Sequence, residues 1–109
     1  HRCPMRLLTV VLLSMLAVAG CGPAPQTAAG FVVDVQSTSL TEITSFTIRT
    51  EDGEELIFRV GVLDLDGGGF PGTHLREHMI TNQPVAVAFE LVGDERVASR
   101  LVDAPWLQP

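Results

Sequence analysis

Apolar and polar side chains alternate along much of the chain from Phe31 onward. In the first alternating segment, Phe31, Val33 and Val35 lie on one face of a predicted strand. The same period recurs over residues 45–50 and 54–60, which are the second and third predicted strands. Because each strand has one apolar face, we expect the three strands to contribute to a common core.

The turn between the second and third predicted strands determines how they pair. A three-residue loop over 51–53 brings Phe46 opposite Phe58, whereas a two-residue loop over 52–53 brings it opposite Arg59. The longer loop also puts Gly53 at its third position, where a left-handed conformation is preferred. We therefore predict the longer loop, with the pairs Ile48–Leu56, Phe46–Phe58 and Arg49–Glu55.

A long connection between Gly61 and Gly72 leads to a segment with helical periodicity. We predict a helix over 73–81 that begins with Thr73 as its N-cap and turns Leu75 inward together with Met79. The Asn-Gln-Pro sequence directly after this segment is typical of the end of a helix.

A second hairpin is predicted after the helix. Its strands cover 84–91 and 96–102, and its turn contains Gly93. Loops of two and of three residues both leave acceptable pairs, so the register stays open. The side chains expected to face inward from the first of these strands are Val85, Val87, Phe89 and Leu91.

The order of elements, three strands, one helix and two strands, is similar to that of the OB-fold, a small, partly open Greek-key barrel. The resemblance implies a mainly β domain over 31–104 and a C-terminal tail over 105–109. We expect a five-stranded antiparallel barrel with one short helix between strands 3 and 4. An antiparallel sheet with the helix on one face is the alternative. A fold of this kind hosts unrelated activities, so it does not by itself predict a function.

The residues before the first strand have the composition of a targeting segment. Arg2 and Arg6 precede an uncharged apolar run over 7–19. This run of about 13 residues is roughly 20 Å long as a helix, too short to cross a bilayer core of about 30 Å. Its length and its positive start are typical of a signal peptide.

Small residues end this run directly before a cysteine, in the sequence Val18-Ala19-Gly20-Cys21. This sequence resembles the lipobox of bacterial lipoproteins, in which cleavage before the cysteine leaves a diacylglyceryl thioether on its sulfur. The resemblance implies a lipoprotein signal peptide over 1–20, cut between Gly20 and Cys21. It also implies acyl chains, such as palmitate, that hold the domain at a membrane outside the cytoplasm. An ordinary secretory signal that leaves this cysteine as a thiol is the alternative.

The rest of the chain agrees with this processing. The only cysteines are Cys3, within the signal, and Cys21, so the domain is expected to fold without a disulfide. Residues 21–30 combine the lipidated cysteine with a linker rich in proline and alanine.

The charge of the processed chain disfavours nucleic acid as a partner. All 13 acidic residues follow Cys21, against five arginines and no lysine, so the net charge is −8 with histidine neutral. A domain this acidic repels polyphosphate backbones. Four of the six aromatic side chains also fall on predicted inward positions, where they build a core rather than a stacking surface.

Two histidines suggest one candidate metal site. His74 and His78 are four residues apart, so on a helix their imidazoles share a face. A carboxylate such as that of Glu77 or Asp66 would have to complete the ligand set. The alternative is a pair of half-exposed histidines on the outer face of the helix.

A second candidate is the sequence Asp64-Leu65-Asp66, followed by three glycines. It is similar to the start of a calcium loop, but the twelfth position, where such a loop has a bidentate glutamate, holds Leu75. We therefore expect a solvated loop. No Gly-x-Ser-x-Gly sequence marks a nucleophile.

Together these features predict a membrane-anchored extracytoplasmic lipoprotein, on the cell surface or in the periplasm. Its domain is expected to be a non-enzymatic accessory or binding domain for an unidentified protein partner or small ligand. Two alternatives stay open. One is a metal- or haem-handling domain that uses His74 and His78, and the other is a small enzyme with a site near the loop between Gly61 and Gly72. No cofactor is expected apart from that metal.

Overall fold

Five strands and one helix follow one another in the order predicted from the sequence. The computed structural model describes residues 26–108. The signal peptide, Cys21 and the first part of the linker lie outside the described residues. Within 26–108, no helix is long and apolar enough to cross a membrane. The elements are β1 (Gln26–Ser39), β2 (Glu42–Arg49), β3 (Glu55–Val60), α1 (His74–Thr81), β4 (Pro84–Val92) and β5 (Glu95–Asp103).

The strands form a closed barrel in the order β1-β2-β3-β5-β4, in which β4 pairs back with β1. The mainly β, five-stranded barrel with one short helix between strands 3 and 4 is therefore confirmed. The expectation that all strands run antiparallel is wrong, because β3 and β5 are parallel. A closed ring with an odd number of strands cannot alternate direction throughout, so one neighbouring pair has to be parallel.

Strand β1 begins five residues before the predicted start. Residues 26–30, expected as linker, pair with β4 from Phe89 to Val85. Alternation is invisible in this segment because its side chains are small. A glycine is required at position 30 because the backbone of β2 lies too close for a side chain. A Cβ atom at this position would lie 2.3 Å from the carbonyl oxygen of Arg49.

A β-bulge in β1 changes which side chains face the core. Val32 pairs with Ile48 and Asp34 pairs with Thr47, so Val33 is an extra residue between them. The inner residues are therefore Val32, which is buried, and Val35, which packs against the core. The predicted inner face, with Val33 between Phe31 and Val35, is wrong because an inserted residue shifts the alternation by one.

The β2–β3 hairpin has the predicted three-residue loop. Gly53 has a φ of 87°, as its place in the loop requires. The rings of Phe46 and Phe58 stack with their centroids 5.3 Å apart, and the Phe89 ring meets Phe58 edge-on at 5.1 Å. All three predicted pairs are present, namely Ile48–Leu56, Phe46–Phe58 and Arg49–Glu55.

Local hydrogen bonds hold the loop of this hairpin. The hydroxyl of Thr50 donates to the carboxylate of Asp52, and the backbone N–H of Glu54 donates to the same oxygen at 3.4 Å. These two bonds lower the pKa of Asp52 below its ordinary value, and the bond from Thr50 has the larger effect. The loop is thus stabilised by contacts within it, although it lies fully in solvent.

Helix α1 closes one end of the barrel with Leu75 and His78, both buried. Met79, expected with Leu75 on the inner face, is only partly buried against the core. Thr73 is the N-cap residue, as predicted, but its side chain makes no capping hydrogen bond. The helix ends at Asn82, which is left-handed with a φ of 56°.

The β4–β5 hairpin has a two-residue loop, since Val92 pairs with Glu95. Among the described residues, 90–92 pair only with β5, so this hairpin extends beyond the rest of the barrel. The expectation that Leu91 faces inward is therefore wrong, and its side chain is 55% exposed.

The core fills the barrel between its strands and α1. Three phenylalanines from three different strands form its centre, and aliphatic side chains surround them. Its buried members are Val32, Ile43, Phe46, Ile48, Phe58, Phe70, Leu75, Val85, Val87, Phe89, Ala98 and Leu101.

Candidate functional site

The two histidines of the candidate metal site have different environments. His78 is 6% exposed, and its ring stacks on Phe70 with centroids 4.5 Å apart. Its Nδ1 lies 3.0 Å from the carbonyl oxygen of His74, and its Nε2 lies 2.7 Å from Oδ1 of Asp103. Each ring nitrogen of His78 thus faces an oxygen that accepts hydrogen bonds, and the position of the ring proton decides which of the two bonds forms. His74 itself is exposed.

This arrangement gives no support to a shared metal ion. Among the described residues, no group of three or more His, Cys, Asp or Glu side chains is placed to hold a metal. Glu77 and Asp66, the carboxylates considered as a third ligand, are therefore not brought together with the histidines. The contact of His78 with Asp103 instead joins the buried face of α1 to the end of β5.

The loop between β3 and α1 binds the side chain of Arg100, which belongs to β5. The guanidinium of Arg100 donates to the carbonyl oxygens of Asp66 and Gly67, the latter at 2.7 Å. Its Nη1 also lies 3.4 Å from Oδ2 of Asp64. Of the two carboxylates that resemble the start of a calcium loop, the one on Asp64 thus pairs with an arginine, whereas Asp66 contacts it through its backbone carbonyl.

The glycines of this loop allow it to close around the arginine. Gly67 and Gly68 have φ values of 55° and 95°. A Cβ atom on Gly69 would lie 2.3 Å from the carbonyl oxygen of Asp64 and 3.3 Å from Nη1 of Arg100. The loop is also fixed to β5, because the backbone N–H of Phe70 donates to the carbonyl of Leu101 at 2.9 Å. The expected solvated loop is therefore an ordered one.

A cleft on the outer surface of the barrel is the third candidate site. It has a volume of about 560 Å³ and lies between β2, β3 and the β4–β5 loop. Ile57 is 64% exposed within it, and the hydroxyl-bearing residues Thr44 and Ser45 line one side. Arg59 and Glu95 form an ion pair across it, with Nε and Oε1 3.0 Å apart.

Arg96 also lines this cleft, together with the carboxylate of Asp94. Within residues 26–108, no carboxylate lies within ion-pair distance of the Arg96 guanidinium. Its guanidinium carbon is 6.0 Å from the ring centroid of Phe58, at the outer limit of a cation–π contact. The cleft thus offers donors and an apolar side chain on a rigid barrel wall.

Sequence reasoning missed both the role of Arg100 and the cleft. Arg100 lies 34 residues from Asp66 in the chain, and the cleft residues come from separate elements. The available signal was the small number of arginines, because five cations among 13 carboxylates are expected to occupy specific positions.

Comparison of the chain with protein-family models, with curated proteins and with solved structures gives no match.

We predict that His78 stabilises the fold without a metal. Truncation in His78→Ala removes its contact with Phe70 and its hydrogen bonding to Asp103 and to the carbonyl of His74, and is expected to lower the free energy of unfolding by about 2–4 kcal/mol. His74→Ala, the control, removes an exposed ring whose centroid lies 5.8 Å from that of Phe70, and is expected to lower it by less than about 1 kcal/mol. Urea denaturation with and without a chelator measures both effects. Stoichiometric metal in the purified protein that is absent from the double variant His74→Ala/His78→Ala would contradict this prediction.

Proposed function

We propose that the chain is a bacterial lipoprotein, anchored outside the cytoplasm through acyl chains on Cys21, whose barrel is a binding domain. The observation that carries this proposal is the run of apolar residues over 7–19 that ends in small residues directly before Cys21. One acyl chain gives only reversible membrane attachment, whereas two or three on one cysteine hold firmly. The proposed location is the cell surface or the periplasm.

The segment that joins the barrel to the proposed lipid anchor is short, because β1 already begins at Gln26. Only four residues lie between Cys21 and Gln26, where β1 begins. The five Cα-to-Cα steps from Cys21 to Gln26 span at most about 18 Å when fully extended. The barrel is then held close to the bilayer surface, and a partner in the same membrane is within reach of it.

The cleft between β2, β3 and the β4–β5 loop is the ligand site that we propose. Strand β3 pairs with β5 only from Phe58 to Val60, so residues 55–57 have no described partner on that side. An extended segment of a partner protein fits this edge by adding a strand. Exposed Ile57 supplies an apolar contact, and Arg96 supplies a donor for a carboxylate of the partner.

The proposed anchor is tested by the mass of the mature protein. We expect purified protein to begin at Cys21 with a diacylglyceryl group on its sulfur and to float with membranes in a density gradient. The variant Cys21→Ser is expected to lose the modification and the flotation. A free thiol at Cys21, in protein that is released from the cells, would contradict the proposal.

The proposed ligand site is tested by photo-crosslinking in cells. A photoreactive amino acid in place of Ile57 is expected to form adducts with a defined protein partner. The same replacement at Val62, which is 95% exposed outside the cleft, serves as the control. Arg96→Glu is expected to reduce the Ile57 adducts because it reverses the charge next to them. Equal adducts at both positions, or none at Ile57, would exclude the cleft as the partner site.

A further inference from the structure

The single tryptophan of the chain is held outward by a fixed C-terminal turn. Trp106 is 64% exposed, whereas Ala104 and Leu107 on either side of it are buried. The backbone N–H of Leu107 donates to the carbonyl of Ala104 at 3.0 Å, and that of Ala104 donates to Pro84 at 3.2 Å. The indole is therefore exposed because the hydrogen bonds and buried side chains on both sides of Trp106 hold this turn in place.

Trp106 lies beside the part of β1 that leads to the proposed anchor. It shares a shallow depression with Ala28 and Ala29 of β1 and with the loop between β2 and β3. Ala28 is seven positions after Cys21 in the chain. Extended chain of that length spans at most about 25 Å, so acyl chains on Cys21 would keep this depression within that distance of the bilayer.

We propose that this face of the barrel rests on the lipid bilayer, with the indole of Trp106 among the lipid head groups. This inference rests on the proposed lipidation of Cys21, which supplies the attachment. Tryptophan favours the membrane interface because its ring is apolar and its N–H remains hydrogen-bonded to water or head groups. The indole sets which face of the tethered barrel turns toward the membrane.

The charges around the depression specify which lipid surface it fits. Glu51, Asp52 and Glu54 line it together with Trp106. These carboxylates are repelled by anionic lipids, and the repulsion acts over about one Debye length, roughly 8–10 Å in physiological salt. The surface that fits this face is therefore a bilayer of electrically neutral head groups.

Tryptophan fluorescence tests this contact directly, because the chain has one tryptophan and no tyrosine. The lipid-modified full-length protein is reconstituted into phosphatidylcholine vesicles, with and without brominated acyl chains. Contact with the bilayer is expected to shift the emission to shorter wavelength, and the brominated lipid to quench it by about two-fold or more. Replacing part of the phosphatidylcholine by phosphatidylglycerol is expected to reduce the quenching.

Two controls locate the contact. The variant Cys21→Ser, added to the same vesicles, is expected to show no quenching because it has no anchor. In the double variant Trp106→Phe/Val62→Trp, the fluorophore moves to a site past the end of β3 that lies away from the β2–β3 loop. This variant is expected to float with the vesicles and to remain unquenched.

The possible outcomes separate the contact from the anchor. Protein that floats with the vesicles while its Trp106 emission is unquenched overturns the contact and leaves the lipid anchor standing. A blue shift without quenching by brominated lipid also overturns it, because the indole is then covered by protein. Protein without lipid on Cys21 overturns both proposals. Equal quenching of Trp106 and of the fluorophore at residue 62 shows that no particular face is turned to the bilayer, which contradicts the inference.

Discussion

The pairing of the first residues of β1 with β4 is the interaction on which the rest of the barrel depends. Residues 26–31 pair with β4 from Phe89 to Pro84, while the rest of β1 pairs with β2. The other junction of the β4–β5 hairpin with the barrel is the parallel pairing of β5 with β3, which has only three residue pairs. The closed barrel therefore depends on the long strand β1, which pairs with both β4 and β2.

The register between two strands could be predicted from the sequence where the alternation of apolar side chains and the residue in the turn favoured the same pairing. The β2–β3 register was predictable because alternation placed Phe46 opposite Phe58 and because Gly53 suited the left-handed loop position. Closure of five strands also requires a parallel neighbouring pair, but that requirement does not identify β3 and β5 as the pair. The start of β1 was not predictable, because its small side chains show no alternation and its pairing partner is distant in the chain. The inserted Val33 was hidden for a similar reason, since a bulge shifts the pattern without a residue signature of its own.

The candidate sites depended on burial and on distant partners, which spacing does not reveal. The four-residue spacing of His74 and His78 predicted a shared helix face, but it could not show that α1 turns His78 into the barrel toward Asp103. In the same way, the spacing of Asp64 and Asp66 resembled the start of a calcium loop, but it could not show that Arg100, far along the chain, pairs with the Asp64 carboxylate and with the backbone carbonyls of Asp66 and Gly67.

The position at which β1 begins links the fold to the proposed function. Because residues from Gln26 onward already pair with β4, only a short segment lies between the barrel and Cys21. Amide hydrogen exchange of the full-length protein tests this pairing most directly. The account predicts that residues 26–31 include amides that exchange as slowly as those of Val85 and Val87 in β4, with which this segment pairs. Exchange throughout 26–30 as fast as that of an unstructured linker would contradict it, and would leave the barrel open between β1 and β4.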